Sequence, residues 1–295
     1  MDTTEITHLS LCSGYGGLDL GIKGVFGENC RTVAYAEIEA FAIECLLARM
    51  EGGGGGGQLD AAPIWPNLKS FPWEAFSDRV DILSGGYPCQ PFSAAGKRLG
   101  TEDPRHLWPF IADGIRIMRP KLCFFENVEG HISLGLSSVI SDLEELGYKV
   151  SWGIFSAREV GAPHQRKRVF ILANLRGQGL QGRWGFKPIR LARGWDIEDR
   201  HAAETGVIGV QSMASNIWPS RPGQPQEYWE PSRQVIPNTQ PSLGRNIDGT
   251  ASRMDYAELC VTRDNRNDEL RLLGNGVVPA TATKAFLTLL EDLIK

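Results

Sequence analysis

The chain lacks any apolar run approaching the ~18 residues that a membrane-spanning helix needs, and its start, MDTTEITHLS, has neither the basic residues nor the long apolar stretch of a secretory signal. The cytosol is therefore the expected compartment, with no membrane partner. Paired cysteine spacing is missing too. Cys12, Cys30, Cys45, Cys89, Cys123 and Cys260 include no Cys-x-x-Cys, which argues against a zinc site and a disulfide framework, and no metal is expected. An excess of positive charge is also absent: 31 Lys and Arg stand against 35 Asp and Glu, a net charge of -4, whereas nucleic-acid-binding domains are usually basic. The charge is unevenly placed, however. Across residues 166–200, Arg166, Lys167, Arg168, Arg176, Arg183, Lys187, Arg190, Arg193 and Arg200 meet only Asp196, Glu198 and Asp199. A local basic face on an acidic body stays open, and only the local potential matters to a phosphate.

With 295 residues, 42% of them hydrophobic, the chain can bury a full core in one or two domains. Short apolar runs alternate with amphipathic stretches: HLSLCS, a glycine-rich turn and a helix, TVAYAEI, FAIECLLARM, DILSGG, HLWPFIADGIRIM, KLCFFENV and SSVISDLEELG. Strand followed by helix, repeated, predicts a doubly wound, mostly parallel sheet of the Rossmann-like α/β class. YKVSWGIFSA and RVFILANL read as two further strands. From 175 to 268 the chain turns to Arg, Trp, Gly and Pro with little periodicity, a second and loop-rich domain; 269–295 restores the earlier composition and is expected to return to the first domain, 1–174. The six glycines at 52–57 read as a flexible loop or inserted linker, without chemistry, because a phosphate cradle needs glycines at fixed positions rather than a homopolymer.

Two segments carry the chemistry. After the first strand comes Ser13-Gly14-Tyr15-Gly16-Gly17-Leu18-Asp19, where glycines permit a sharp strand-to-helix turn and close approach of a ligand. The second strand ends at Glu37-Ile38, about 20 residues further on, where an acid can accept from both ribose hydroxyls. Together they favour an adenosine-type ligand; Glu37 as the start of a solvated helix is the plainer alternative. The segment Gly85-Gly86-Tyr87-Pro88-Cys89-Gln90-Pro91 sets a cysteine just past a strand's carboxyl end, the ligand-binding edge of a parallel sheet. Taken alone, Cys89 reads equally as a buried structural thiol. The next strand ends in Phe124-Phe125-Glu126-Asn127, and a carboxyl group behind two aromatics is desolvated, which raises its pKa toward neutrality. A nucleophile and a proton-holding acid would then face one pocket, unless Glu126 only caps the following helix.

GGYPCQPFSAAGKR, FFENVEGH, GAPHQRKR and LLGNGVVP, in this order after SGYGG and AEIE, resemble the motif series of cytosine-C5 DNA methyltransferases of the phage and bacterial modification type. The resemblance covers most of 8–173 and 270–290, and implies a methyltransferase fold that takes a methyl group from S-adenosyl-L-methionine, leaves S-adenosyl-L-homocysteine, and acts on double-stranded DNA. It implies Cys89 as the nucleophile at C6 of the base, covalent catalysis that turns C5 into an enamine carbon. Glu126 would neutralise N3, Arg168 would bond the base O2 and position Glu126, and Arg166 would support the thiolate and the base. The implied cofactor residues are Cys12, Ser13, Gly14, Gly16, Gly17, Leu18, Glu37, Ile38, Asn67, Leu68, Gly86, Pro88, Leu107, Asn275 and Gly276. Cys12 and Asn67 depart from the family pattern, and so does His164. Gln90, Ser93, Lys97 and Arg98 would contact DNA from a mobile segment after the nucleophile, and Arg183, Arg190 and Arg193 from the target-recognition domain at 175–268. Trp218, Tyr228 and Trp229 are assigned to that domain's core. A base within a duplex is unreachable, so the cytosine would be flipped out, as methyltransferases do.

A monomer in the cytoplasm of a bacterial host or phage-infected cell, with a cognate restriction endonuclease as a candidate partner, completes the expectation. A tRNA cytosine-C5 methyltransferase shares the chemistry and is the main alternative. A nicotinamide oxidoreductase leaves Pro-Cys-Gln and Glu-Asn-Val idle, and a silent DNA-binding module would require a missing nucleophile or acid.

Overall fold

The computed structural model describes residues 5–51, 57–88, 107–177 and 266–294, with backbone alone over 266–270. Strand β1 (Ile6–Leu11) leads through the glycine-rich loop into α1 (Gly17–Phe26), and β2 (Cys30–Ala36) into α2 (Ala40–Glu51). There follow β3 (Ile64–Trp65), β4 (Ile82–Gly85), α3 (Trp108–Met118), β5 (Leu122–Val128), the single turn α4 (His131–Leu134), α5 (Leu136–Glu145), β6 (Tyr148–Ser156) and β7 (Lys167–Leu175). Helices α6 (Arg266–Asn275) and α7 (Pro279–Ile294) close the described chain. Among the described residues no helix is long and apolar enough to cross a membrane.

The seven strands form one sheet in the order β3-β2-β1-β4-β5-β7-β6. The pairs from β3 through β5 are parallel, and β7 joins β5 and β6 antiparallel. The mostly parallel sheet expected from the strand-helix alternation is thus present. The strand order reverses direction at β1, so the cleft beyond the carboxyl ends of β1 and β4 is a topological switch point, where doubly wound sheets bind ligands.

Side chains alternate across the sheet and divide the core in two. Cys123 and Phe125 of β5 face one cluster with Leu9, Leu11, Leu83, Ile111, Ile115 and Leu143, under α3 and α5. Leu122 and Phe124 face the other with Ile22, Val25, Phe286 and Leu289, under α1 and α7. Burial on both faces explains why β5 reads as an unbroken apolar run rather than as an alternation. Helix α7 buries Ala282, Ala285, Phe286, Leu289, Leu290 and Leu293, spaced as one helical face. At about 1.5–3 kcal/mol for each fully buried large apolar side chain, that stripe is a structural part of the sheet domain. The strand expected over HLSLCS stops at Leu11, because Cys12 takes the left-handed backbone region at φ 48° and turns the chain into the loop.

Of the expected second domain, only the edges 175–177 and 266–268 are among the described residues. Cys89, Gln90, Ser93, Lys97, Arg98, Arg183, Arg190 and Arg193 lie outside them, as do Trp218, Tyr228, Trp229 and glycines 52–56.

Candidate active site

The loop after β1 is fastened to the end of β2. Ser13 N donates to Ala36 O at 3.3 Å, and Gly14 N donates to Glu37 Oε2 at 2.7 Å. Glu37 Oε1 accepts from the backbone N–H groups of Ile38 and Glu39, at 2.8 and 2.9 Å. Three donors thereby hold a carboxylate that has about four acceptor positions, and the acid is locked beside the loop with capacity to spare. The plainer reading, in which Glu37 opens a solvated helix, fails on two counts: α2 begins at Ala40, and Glu37 is only 8% exposed. Gly14 has φ 56° and open space where a Cβ would stand, so the turn presents bare backbone to the cleft. Ile38 is 71% exposed and projects an apolar side chain from the same edge.

A buried polar cluster supports this loop from below. Ser10 Oγ is within hydrogen-bond distance of Ser13 Oγ at 2.9 Å and of Asp19 Oδ2 at 3.0 Å. His8 bridges Thr32 Oγ1 through Nδ1 at 2.9 Å and Ser84 Oγ through Nε2 at 2.7 Å, tying β1 to both neighbouring strands. Burial pushes the Asp19 carboxyl up to about 7, so its proton is shared near neutral pH, and the His8 imidazole down to about 3, which holds the ring neutral.

The chemical end lies one strand over. Glu126, near the carboxyl end of β5, is 5% exposed, and burial pushes its pKa up to about 7 against the opposing charges of Arg168 and Arg166. Its Oε2 lies 3.4 Å from where a Cβ on Gly86 would stand, directly over the end of β4 that leads through Tyr87 and Pro88 to Cys89. Arg168 arrives from β7. Antiparallel pairing sets it opposite Val128, and the diagonal neighbour two residues back is Glu126. The Arg168 Nε is 2.9 Å from Glu126 Oε1. The alternative of Glu126 as a mere helix cap is excluded by its place inside the strand and by this ion pair.

Arg166 lends its charge to Glu126 and is also tied to a distant part of the chain. Its described hydrogen bonds run to the chain's C-terminal return: one amino group donates to Leu273 O at 2.7 Å, to Gly274 O at 3.1 Å and to Gly276 O. Arg168 also reaches Gly274 O, at 3.3 Å. A guanidinium carries five donors in a fixed fork and suits carbonyls left over at a helix end, here that of α6. Arg166 therefore clasps the last motif onto β7, while Cys89, the group it was expected to support, lies outside the described residues.

That last motif closes on the glycine loop. Tyr15 is fully buried and donates to Val277 O at 2.5 Å. A Cβ on Gly276 would fall 1.8 Å from the Tyr15 ring and one on Gly17 would fall 2.3 Å from Val277 O, so only glycine permits this approach. Gly16, at φ 84°, makes the turn. Asn275 is exposed beside it.

The remaining expected cofactor positions divide by orientation. Leu18 and Leu68 bury their side chains in the two cores, so each can offer a ligand only its backbone. Asn67 is exposed, and its Oδ1 caps the short turn after β3 by accepting from Lys69 N at 3.0 Å. Cys12 packs against the first core, and burial raises its thiol to about 12, so it is an inert apolar neighbour of the cleft. Leu107 precedes α3, half-buried, and Pro88 is exposed at the end of β4. Tyr15, His8, Asp19, Asn127 and His131 were not singled out from sequence. Only Tyr15 carried a usable signal, an aromatic inside a glycine loop.

A family model described as C-5 cytosine-specific DNA methylase matches residues 6–240. The Type II methyltransferase M.NgoBV of Neisseria gonorrhoeae is 32% identical over 189 residues, 59% of this chain and 42% of that protein. M1.ScrFI of Lactococcus lactis subsp. cremoris, also a Type II methyltransferase, is 35% identical over 175 residues, 58% of this chain and 42% of its own length. The chain thus spans about half the length of the curated relatives it matches or less. A crystal structure of a mutant Spodoptera frugiperda DNMT2 superposes with a TM-score of 0.50 at 22% identity, covering 62% of this chain and 53% of that one, a likeness of fold.

Proposed function

This chain belongs to the C-5 cytosine-specific DNA methylase family, and from that premise we propose that it methylates C5 of a cytosine flipped from a specific duplex DNA sequence, as a modification enzyme. The observation that carries the reading is Glu126: a buried acid with its pKa near 7, paired with Arg168, directly over the strand end that leads to Cys89.

S-adenosyl-L-methionine fits the residues of the cleft. The bare backbone at Gly14 and the locked carboxylate of Glu37 suit a ribose, and the exposed Ile38 offers an apolar face to a purine. Ser13, Gly16, Gly17, Gly86, Pro88, Leu107, Asn275 and Gly276 are proposed to complete the cofactor site, together with Cys12, Leu18, Asn67 and Leu68. Bound there, the cofactor supplies an electrophilic methyl group on a sulfonium sulfur.

The chain's own residues prepare the base. The Cys89 thiolate adds to C6, and the electron pair displaced from the C5–C6 bond makes C5 nucleophilic. Charge that spreads onto the ring is met at N3 by the proton on Glu126, which its burial allows it to hold at neutral pH. Arg168 keeps that carboxyl oriented and reaches the base O2. Once C5 carries the methyl group, loss of its proton to water lets the C5–C6 double bond re-form, the C6–S bond breaks to return the thiolate, and Glu126 recovers its proton from N3. Gln90, Ser93, Lys97, Arg98, Arg183, Arg190 and Arg193 are proposed to hold the duplex.

Bisulfite sequencing of DNA from a bacterium expressing the chain tests this directly. Methylcytosine in one sequence context, lost in Cys89→Ser, is the expected result. Unmodified DNA together with methylated tRNA from the same cells would overturn it in favour of an RNA substrate.

A further inference from the structure

The end of β4 is held by more than its strand pairing. Asn127, next to Glu126 on β5, donates through Nδ2 to Tyr87 O at 3.1 Å and accepts from Val128 N through Oδ1 at 2.9 Å. The Tyr87 side chain is only 4% exposed and is enclosed by Trp108, Phe125 and His131, with ring centroids at 5.3, 5.8 and 5.7 Å. Its hydroxyl lies 3.1 Å from His131 Nε2. His131 begins α4, straight after β5, and is 5% exposed; a Cβ on Gly135 would come within 3.0 Å of its ring, so the ring has no room to turn toward that side. Burial pushes the imidazole down to about 4, so it is neutral at pH 7 and one ring nitrogen can accept a hydrogen bond.

From this juxtaposition we infer that His131 is a positioning residue for the nucleophile: through the Tyr87 hydroxyl it fixes the last turn of chain before Cys89 against the strand that carries Glu126. The inference rests on the proposed methyl transfer to cytosine. The nucleophile follows β4 in the chain and the acid lies on β5, and covalent attack is sensitive to sub-ångström placement. Asn127 ties the backbone of β4 to β5, and His131 ties the side chain. Two anchors on one residue remove the rotation about Tyr87 that a single anchor leaves.

The test uses the full chain with its cofactor and a random-sequence duplex synthesised with 5-fluorocytosine, on which the Cys89 adduct is trapped and counted. The rate of adduct formation per titrated active site is expected to fall about three- to tenfold in Tyr87→Phe and in His131→Leu, the rate equivalent of one neutral hydrogen bond. The double variant should be no slower than either single one. His131→Gln, which keeps an acceptor, should restore most of the loss, and the Kd for duplex and cofactor should not move. A purely architectural role would lower the melting temperature and the active fraction but leave the rate per active site unchanged. That result, additive losses, or His131→Gln no faster than His131→Leu overturns the inference while the wild-type adduct stands. A wild-type chain that forms no adduct overturns the proposed function itself.

Discussion

The proton on Glu126 leads to a prediction in which Arg168 sets the pH range of activity. Burial is the largest influence on this carboxyl and raises it to about 7; Arg168, at 2.9 Å, is the largest influence in the opposite direction. Arg168→Met leaves the burial and takes away the charge, so the Glu126 pKa rises further, by about 1–2 units for an opposite charge at this separation. Because the protonated acid is the active form, wild-type kcat/KM should fall on the alkaline side with a midpoint near 7. In Arg168→Met the overall rate is lower, since the guanidinium no longer orients the acid, but the midpoint moves up. In Glu126→Gln the alkaline limb disappears. The measurement is transfer of a tritiated methyl group to a proven duplex substrate between pH 5.5 and 9. Denaturation reads the same group without turnover. Its folded pKa lies above the unfolded value of 4.5, so below that value both states hold the proton; between there and about 7 only the folded state does. The stability of the wild type relative to Glu126→Gln therefore declines across that window by roughly 3 kcal/mol and is level above it. An alkaline limb at the same pH in Arg168→Met, or one that persists in Glu126→Gln, refutes the assignment of the proton to Glu126.

His8→Leu strands the hydroxyls of Thr32 and Ser84 in the core and should cost about 2–4 kcal/mol in urea denaturation. It should also flatten the acid side of the stability profile. Because the His8 pKa falls to about 3 on folding, the histidine's contribution is complete above its unfolded value of 6.5 and is lost as pH drops below that toward 3. Gly276→Ala forces a methyl group into the Tyr15 ring, and should lower the melting temperature with a loss of about 1–3 kcal/mol and weaken S-adenosyl-L-methionine binding in calorimetry. Arg166→Met removes the donor shared by three carbonyls, and amide exchange should accelerate over 273–278 while the β5 amides stay protected.

Much of the fold could be read before any coordinates because its signals are local. Apolar runs bounded by glycine, the amphipathic faces of α3 and α7, and the strand-to-helix loop after β1 each depend on residues a few positions apart. The candidate acid was legible for the same reason: two phenylalanines precede Glu126 on a strand buried on both faces. Arg166 was legible as part of a basic cluster, but the carbonyls it bonds belong to residues more than a hundred positions later, which no local pattern announces. Asp19 gave no sign in the helix pattern that it would be 1% exposed.

The sequence by itself determined the chemistry on offer: a thiol behind a proline, an acid behind aromatics, a glycine turn with an acid downstream, and a basic cluster. Tertiary structure alone decided which of these meet. Parallel pairing of β4 with β5 sets Gly85 beside Phe125, and antiparallel entry of β7 lays Arg168 diagonally across from Glu126. The return of the C-terminal segment shuts Gly276 against Tyr15, and strand register threads His8 between Thr32 and Ser84, residues 24 and 76 positions away. Such contacts are chosen by burial of the whole sheet. A one-residue slip would turn every side chain to the other face, so the register that fills the core also brings the site together.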